Sequence, residues 1–167
     1  PDLMITEQIR DGHVLLLLGE TTGHLGQSAL LAEVYGRADG DAPTVDLAAE
    51  KANGDFVRKY FAFISACTDL SDGGLALAAF ELAETAQVGI TLDVEDTPTL
   101  FGEDQARYLL ACNFDQAEAL MVAASREGVT LSMVGKAGGE DVTFGSHSAP
   151  LSELTATFRT AFADAVA

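Results

Sequence analysis

Two short stretches of this sequence concentrate the residues able to do polar chemistry. The first is TDLSDGG, Thr68 to Gly74, where Asp69 and Asp72 could hold a metal ion and Ser71, Gly73 and Gly74 stand ahead of a long apolar run. Aspartate and serine before a helix cap its free N–H groups, and glycines let backbone approach a ligand closely. A ligand loop and plain helix capping are both open on these residues. The second stretch is FGEDQAR, Phe101 to Arg107, which packs Glu103, Asp104, Gln105 and Arg107 between apolar segments. Acids, an amide and a guanidinium together make a hydrogen-bonding edge suited to a polyhydroxylated or amide ligand. The alternative is a solvated turn with a surface acid–arginine pair, worth little to stability. A third stretch, GETTGHLGQS (Gly19 to Ser28), can aim backbone N–H groups at phosphate. It lacks the lysine of a P-loop and does not match the dinucleotide fingerprint. No Ser or Cys motif partners His13, His24 or His147, so none of the three is read as a catalytic base.

The elements that must position these stretches follow from periodicity. GHVLLLLGE (Gly12 to Glu20) is a short apolar run ended by glycine and predicts a buried strand. It leads through the Gly-rich loop into a helix starting near Gln27 or Ser28 and ending near Gly36. Residues 44–64 have helical spacing, with Asn53-Gly54 predicting two helices or one broken helix. A helix is expected from Gly74 to Ala86, packed closely on a sheet through its alanines and leucines. A half-buried strand is expected over Gly89 to Pro98, another over RYLLAC, and a helix over Asp115 to Gly128. Two short strands around a turn at Ala137 to Asp141 and a closing helix complete the order. The fold class is α/β or α+β, a mixed sheet with covering helices.

A chain of 167 residues fits one domain. Nine basic against 26 acidic side chains give a formal charge of −17, which repels phosphate backbones and anionic lipid, so no nucleic-acid or membrane partner is expected. Cys67 and Cys112 show no metal or redox spacing and read as reduced core residues. There is no membrane-spanning run or signal-peptide pattern, and the cytoplasm is the default.

Five segments, LGETTGHLGQSALLAEVYG, PTVDLAAEKANGDFVR, TDLSDGGLALAAFELAE, LFGEDQARYLL and GKAGGEDV, stand in one order over nearly the whole chain. Together they resemble the C-terminal part of the phosphoribosylformylglycinamidine synthase family, synthetase subunit of the small bacterial type. The resemblance implies a three-layer α/β/α fold with a mixed sheet, partly ferredoxin-like, as in the C-terminal domain of aminoimidazole ribonucleotide synthetase. It implies that residues 1–167 are a single domain, the last α/β half of an ATP-dependent ligase of purine biosynthesis. That enzyme converts formylglycinamide ribonucleotide, ATP and glutamine-derived ammonia to formylglycinamidine ribonucleotide, with Mg2+ neutralising the phosphates.

By the same resemblance, Asp69 matches a magnesium-holding aspartate, and Ser71, Gly73 and Gly74 a nucleotide or phosphate loop. Glu103, Asp104 and Gln105 match a Glu-Ser-Gln run that contacts the ribonucleotide substrate. Asp104 stands where that run has serine, a form associated with the half facing an auxiliary nucleotide site; a non-catalytic binding or assembly module is therefore the alternative reading. No catalytic residue is expected in this chain, and alone it is expected to be inactive, because the family's β-rich halves, catalytic histidine and ATP-binding lysine have no counterpart in it. The implied partners are the N-terminal domains of the same polypeptide, a separate glutaminase subunit and a small accessory subunit.

Overall fold

The computed structural model describes residues 8–165. Its sheet is built outward from β1 (Val14–Leu18), whose five residues are all buried. A run this apolar can only sit where both faces of the sheet are covered. Antiparallel partners flank it, β4 (Tyr108–Cys112) on one side and β5 (Leu131–Ala137) on the other. β2 (Ala66–Asp69) adds to β4 at one edge. Beyond β5 come β3 (Ile90–Leu92), β6 (Asp141–Phe144), which is parallel to β3, and β7 (His147–Pro150). The seven-stranded order is β2-β4-β1-β5-β3-β6-β7. β4 and β5 are both antiparallel to β1 and are joined through α4 (Phe114–Glu127), the split β-α-β unit of ferredoxin-like folds.

Alternation along β1 divides the core in two. Leu15 and Leu17 point to the side of α2 (Gly74–Ala86), where Leu75, Ala79 and Leu109 are buried. Val14, Leu16 and Leu18 point to α1 (Leu47–Tyr60) and α4, with Phe56, Leu110 and Leu120. Each fully buried leucine of these clusters contributes about 1.5–3 kcal/mol. α5 (Leu151–Ala165) joins the α2 layer through buried Leu151 and an edge-to-face contact of Phe158 with Phe80 at 5.3 Å. Helices therefore cover both sides of a mixed sheet, the expected three-layer arrangement. The last two residues of the expected closing helix, Val166 and Ala167, lie outside the described residues. Among the described residues no helix is long and apolar enough to cross a membrane.

Several elements differ from expectation for identifiable reasons. The helix expected after Ser28 is a five-residue π turn, Leu30–Val34, with no buried residue; without an apolar face against the core, little supports a longer helix. α1 runs unbroken through Asn53-Gly54, because Asn53 is buried and its amide donates to the Ala106 carbonyl at 2.8 Å. The expected strand over Gly89 to Pro98 is cut to three residues: Asp96 caps a short helix, α3 (Thr97–Phe101), by accepting from the Thr99 N–H at 2.9 Å. β2, α3 and β7 were not anticipated. The two strands around Ala137 to Asp141 are not neighbours, since β3 lies between them.

Candidate functional site

Beside β2, β4 and the head of α2, four polar segments meet: the Gly-rich loop after β1, the start of α1, TDLSDGG after β2, and GEDQAR before β4. A cavity of about 660 Å3 between them is lined by Glu50, Asp69, Ser71, Asp72, Gln105 and Tyr108, among others. A second, of about 390 Å3, continues past Gln105 to Thr22, His24, Asp46 and Asn53. Gln105 lines both.

The two glycines after Asp72 make the turn. Gly73 has φ +76° and Gly74 φ +60°, conformations that L side chains rarely adopt. A Cβ on Gly74 would also lie 2.5 Å from the Gly102 carbonyl oxygen, so the two loops touch backbone to backbone. The Gly74 N–H donates to the Ser71 carbonyl at 3.0 Å and the Gly73 N–H to Glu103 Oε1 at 2.9 Å. The same Glu103 oxygen accepts from the Ala29 N–H at 2.8 Å.

Asp104 is committed in the same way. Only 8% exposed, it accepts from the Thr22 N–H at 3.1 Å, the Gly23 N–H at 3.0 Å and the Thr22 hydroxyl. Burial by itself would raise its pKa, but the hydrogen bonds from Thr22 and Gly23 and the nearby Arg107 outweigh it and hold the carboxyl below the ordinary range. The Arg107 guanidinium is fully buried, 3.9 Å from Asp104. It donates to the carbonyls of Gly102 (2.5 Å) and Asp104 (3.2 Å) and to the Thr21 hydroxyl (3.3 Å). Burial lowers its pKa, opposed by the charges of Asp104 and Glu103. Between these anchors Ala106 is held at φ +59°, a conformation costing about 1 kcal/mol or more for a residue with a side chain, and Asn53 holds its carbonyl.

The expected site residues thus fall into two groups. Glu103 and Asp104 bind the N–H groups of the chain's own loops. Asp69, Ser71 and Gln105 are exposed at the cavity. Asp69 is a rim carboxylate that belongs to no metal-holding cluster: among the described residues no group of three or more Asp, Glu, His or Cys is placed to hold a metal ion. It fits only a metal carried mainly by a ligand's phosphates, the usual manner of Mg2+. The lining is anionic, through Glu50, Asp69 and Asp72, and Arg107 beneath it is buried. His24 bonds the Asp41 carbonyl at 2.8 Å. Cys67 and Cys112 are free thiols, both pushed up to about 11, chiefly by burial and for Cys67 also by Asp69, which keeps them in the inert thiol form. The parts played by Thr22 and Asn53 are not visible in sequence: the threonine is one of several loop hydroxyls, and Asn53-Gly54 is by local preference a turn.

Comparison with known proteins bears on this geometry. The model of the family described as AIR synthase related protein, C-terminal domain, matches residues 10–147. The phosphoribosylformylglycinamidine synthase subunit PurL of Roseobacter denitrificans is 66% identical over 166 residues, 99% of this chain and 23% of that protein. The chain therefore spans about a quarter of that relative's length. Among solved structures, Thermotoga maritima PurL complexed with FGAR superposes with a TM-score of 0.71 at 19% identity, over 89% of this chain and 29% of that one. The same protein complexed with ATP gives a TM-score of 0.68 at 19% identity, over 89% and 26%. At that identity the likeness is one of fold.

Proposed function

The chain belongs to the family of AIR synthase related proteins, as their C-terminal domain, and from that premise we propose that it is the last α/β half of a phosphoribosylformylglycinamidine synthase. The observation that carries this reading is the 66% identity to a PurL subunit along 99% of the chain. The whole protein would be a cytoplasmic ATP-dependent ligase joining glutamine-derived ammonia to formylglycinamide ribonucleotide, with a glutaminase subunit and a small accessory subunit as partners. Residues 1–167 would form one domain of it, inactive alone, supplying one wall of a cleft that other domains of the polypeptide close.

In that wall the Gln105 amide, which can both donate and accept, meets the ribonucleotide. Ser71 offers a hydroxyl beside it. Asp69 would hold Mg2+ brought in with a nucleotide, and the ion would supply the charge neutralisation that phosphoryl transfer needs. Glu103 and Asp104 border the same groove and fix the loops that form it. An anionic lining repels bare phosphate, so its counter-charge must come from the ion and the neighbouring domains. A second reading, a wall of an auxiliary nucleotide site, is favoured by Asp104 standing where the family run has serine and being engaged by Thr22, Gly23 and Arg107.

The test is a chimera in which this chain replaces the matching segment of the R. denitrificans subunit. It should form formylglycinamidine ribonucleotide from ammonia at a rate within about tenfold of the parent, roughly 1.4 kcal/mol in the barrier. A folded chimera with no turnover, beside an active parent, would sink the proposal.

A further inference from the structure

We infer that Glu103 is a positioning residue that sets the width of the groove, and that it acts through the carbonyl-type geometry of one oxygen rather than through contact with a ligand. This rests on the reading of the groove as a cleft wall. One carboxylate oxygen, Oε1, accepts from the Gly73 N–H at 2.9 Å and the Ala29 N–H at 2.8 Å. Those donors lie in different segments, 30 and 74 residues away in sequence. The Glu103 N–H itself donates to the His24 carbonyl at 2.8 Å. A single residue therefore fastens the turn that carries Ser71 and the segment that carries Gln27; both of those side chains line the larger cavity, and Glu103 borders it too, its Oε1 taken up by the two loop N–H groups. Next to it in sequence, Asp104 and Arg107 fasten the loop of Thr21 to Gly23. Gln105, between these anchors, makes only a long contact of 3.4 Å to the Glu103 carbonyl and is left to face the cavity.

A charge that contacts a ligand or a metal and an oxygen that positions two loops respond differently to substitution. The Gln side chain keeps an acceptor oxygen with two lone pairs at the same reach, so Glu103→Gln preserves both loop contacts and removes the charge. Glu103→Ala removes both contacts and leaves two N–H groups without their acceptor.

In the chimera, Glu103→Gln should change KM for formylglycinamide ribonucleotide by less than about threefold, whereas Glu103→Ala should raise it by about tenfold or more. Amide exchange in the 167-residue chain gives a second readout that needs no activity. Gly73 and Ala29 should exchange faster in Glu103→Ala and nearly as slowly as in the unaltered chain in Glu103→Gln. A Glu103→Gln chimera as impaired as Glu103→Ala, with both amides still protected, would overturn the inference, because the charge and not the geometry would then be needed. If the alanine variant fails to fold, the glutamine variant alone decides. If the unaltered chimera is inactive, the reading of function fails, while exchange at Gly73 and Ala29 still tests what Glu103 holds.

Discussion

Replacing Arg107 by methionine should destabilise the folded chain by about 3–5 kcal/mol, the usual effect of removing one partner from a buried charge pair. The guanidinium has no exposed surface, and it satisfies the Gly102 and Asp104 carbonyls and the Thr21 hydroxyl in addition to facing Asp104. Methionine fills much of the volume and satisfies none of these. In a domain of this size the loss corresponds to a fall in Tm of roughly 10 °C. Asp104 should register the change independently. Its folded pKa lies below the ordinary value, so its contribution to stability is complete above about pH 4 and is lost as pH falls through the folded pKa. Without Arg107 that pKa rises, and acid unfolding should begin at higher pH. Arg107→Lys keeps a charge but not the planar fork and should fall between the two. Thermal and acid denaturation followed by circular dichroism measure both effects; an Arg107→Met chain as stable as the original would show that the buried guanidinium does not hold the turn.

Gly74→Ala should cost about 3 kcal/mol or more, for two separable reasons. The first is the left-handed backbone at φ +60°, worth about 1–2 kcal/mol for a residue with a Cβ. The second is contact: that Cβ would lie 2.5 Å from the Gly102 carbonyl oxygen, 3.0 Å from that of Leu100 and 3.0 Å from the Phe101 carbonyl carbon. All three are backbone atoms of the segment leading into GEDQAR, so relief requires the loops to part. Gly139→Ala is the control, with φ +76° and nothing within 4 Å of the added carbon; it should show the first cost only. Chemical denaturation of the two variants, compared at equal slope, isolates the contact between loops. Equal losses would mean that α2 and the GEDQAR turn are not in close register.

Much of this arrangement was legible in the sequence. The VLLLL run required a strand covered on both faces, and the alanines and leucines of Gly74 to Ala86 gave a helix with those bounds because both ends carry strong local signals. What escaped depended on contacts distant in sequence. Asn53-Gly54 is a turn by local preference, yet the Ala106 carbonyl, 53 residues away, holds the asparagine inside a helix. β3 enters between β5 and β6, and no hydrophobic period records strand order. For the site, residue types marked the right loops but not the direction in which each side chain acts. Glu103, Asp104 and Gln105 are adjacent, and only the fold shows that the first two bind the chain's own N–H groups while Gln105 makes a single long contact within the chain. Arg107, whose simplest alternative was a surface pair, proves to be the most deeply buried charge of the group.

Gln105 is the side chain through which this wall would meet the ribonucleotide. The direct measurement is steady-state kinetics of the chimera carrying Gln105→Ala, with ammonia as nitrogen donor and formylglycinamide ribonucleotide varied. KM should rise by about tenfold, the ~1.4 kcal/mol of a lost hydrogen bond, with kcat and Tm almost unchanged, because the side chain makes one long contact within the protein. An unchanged KM with a fully active enzyme would contradict it and would assign this groove to the auxiliary site.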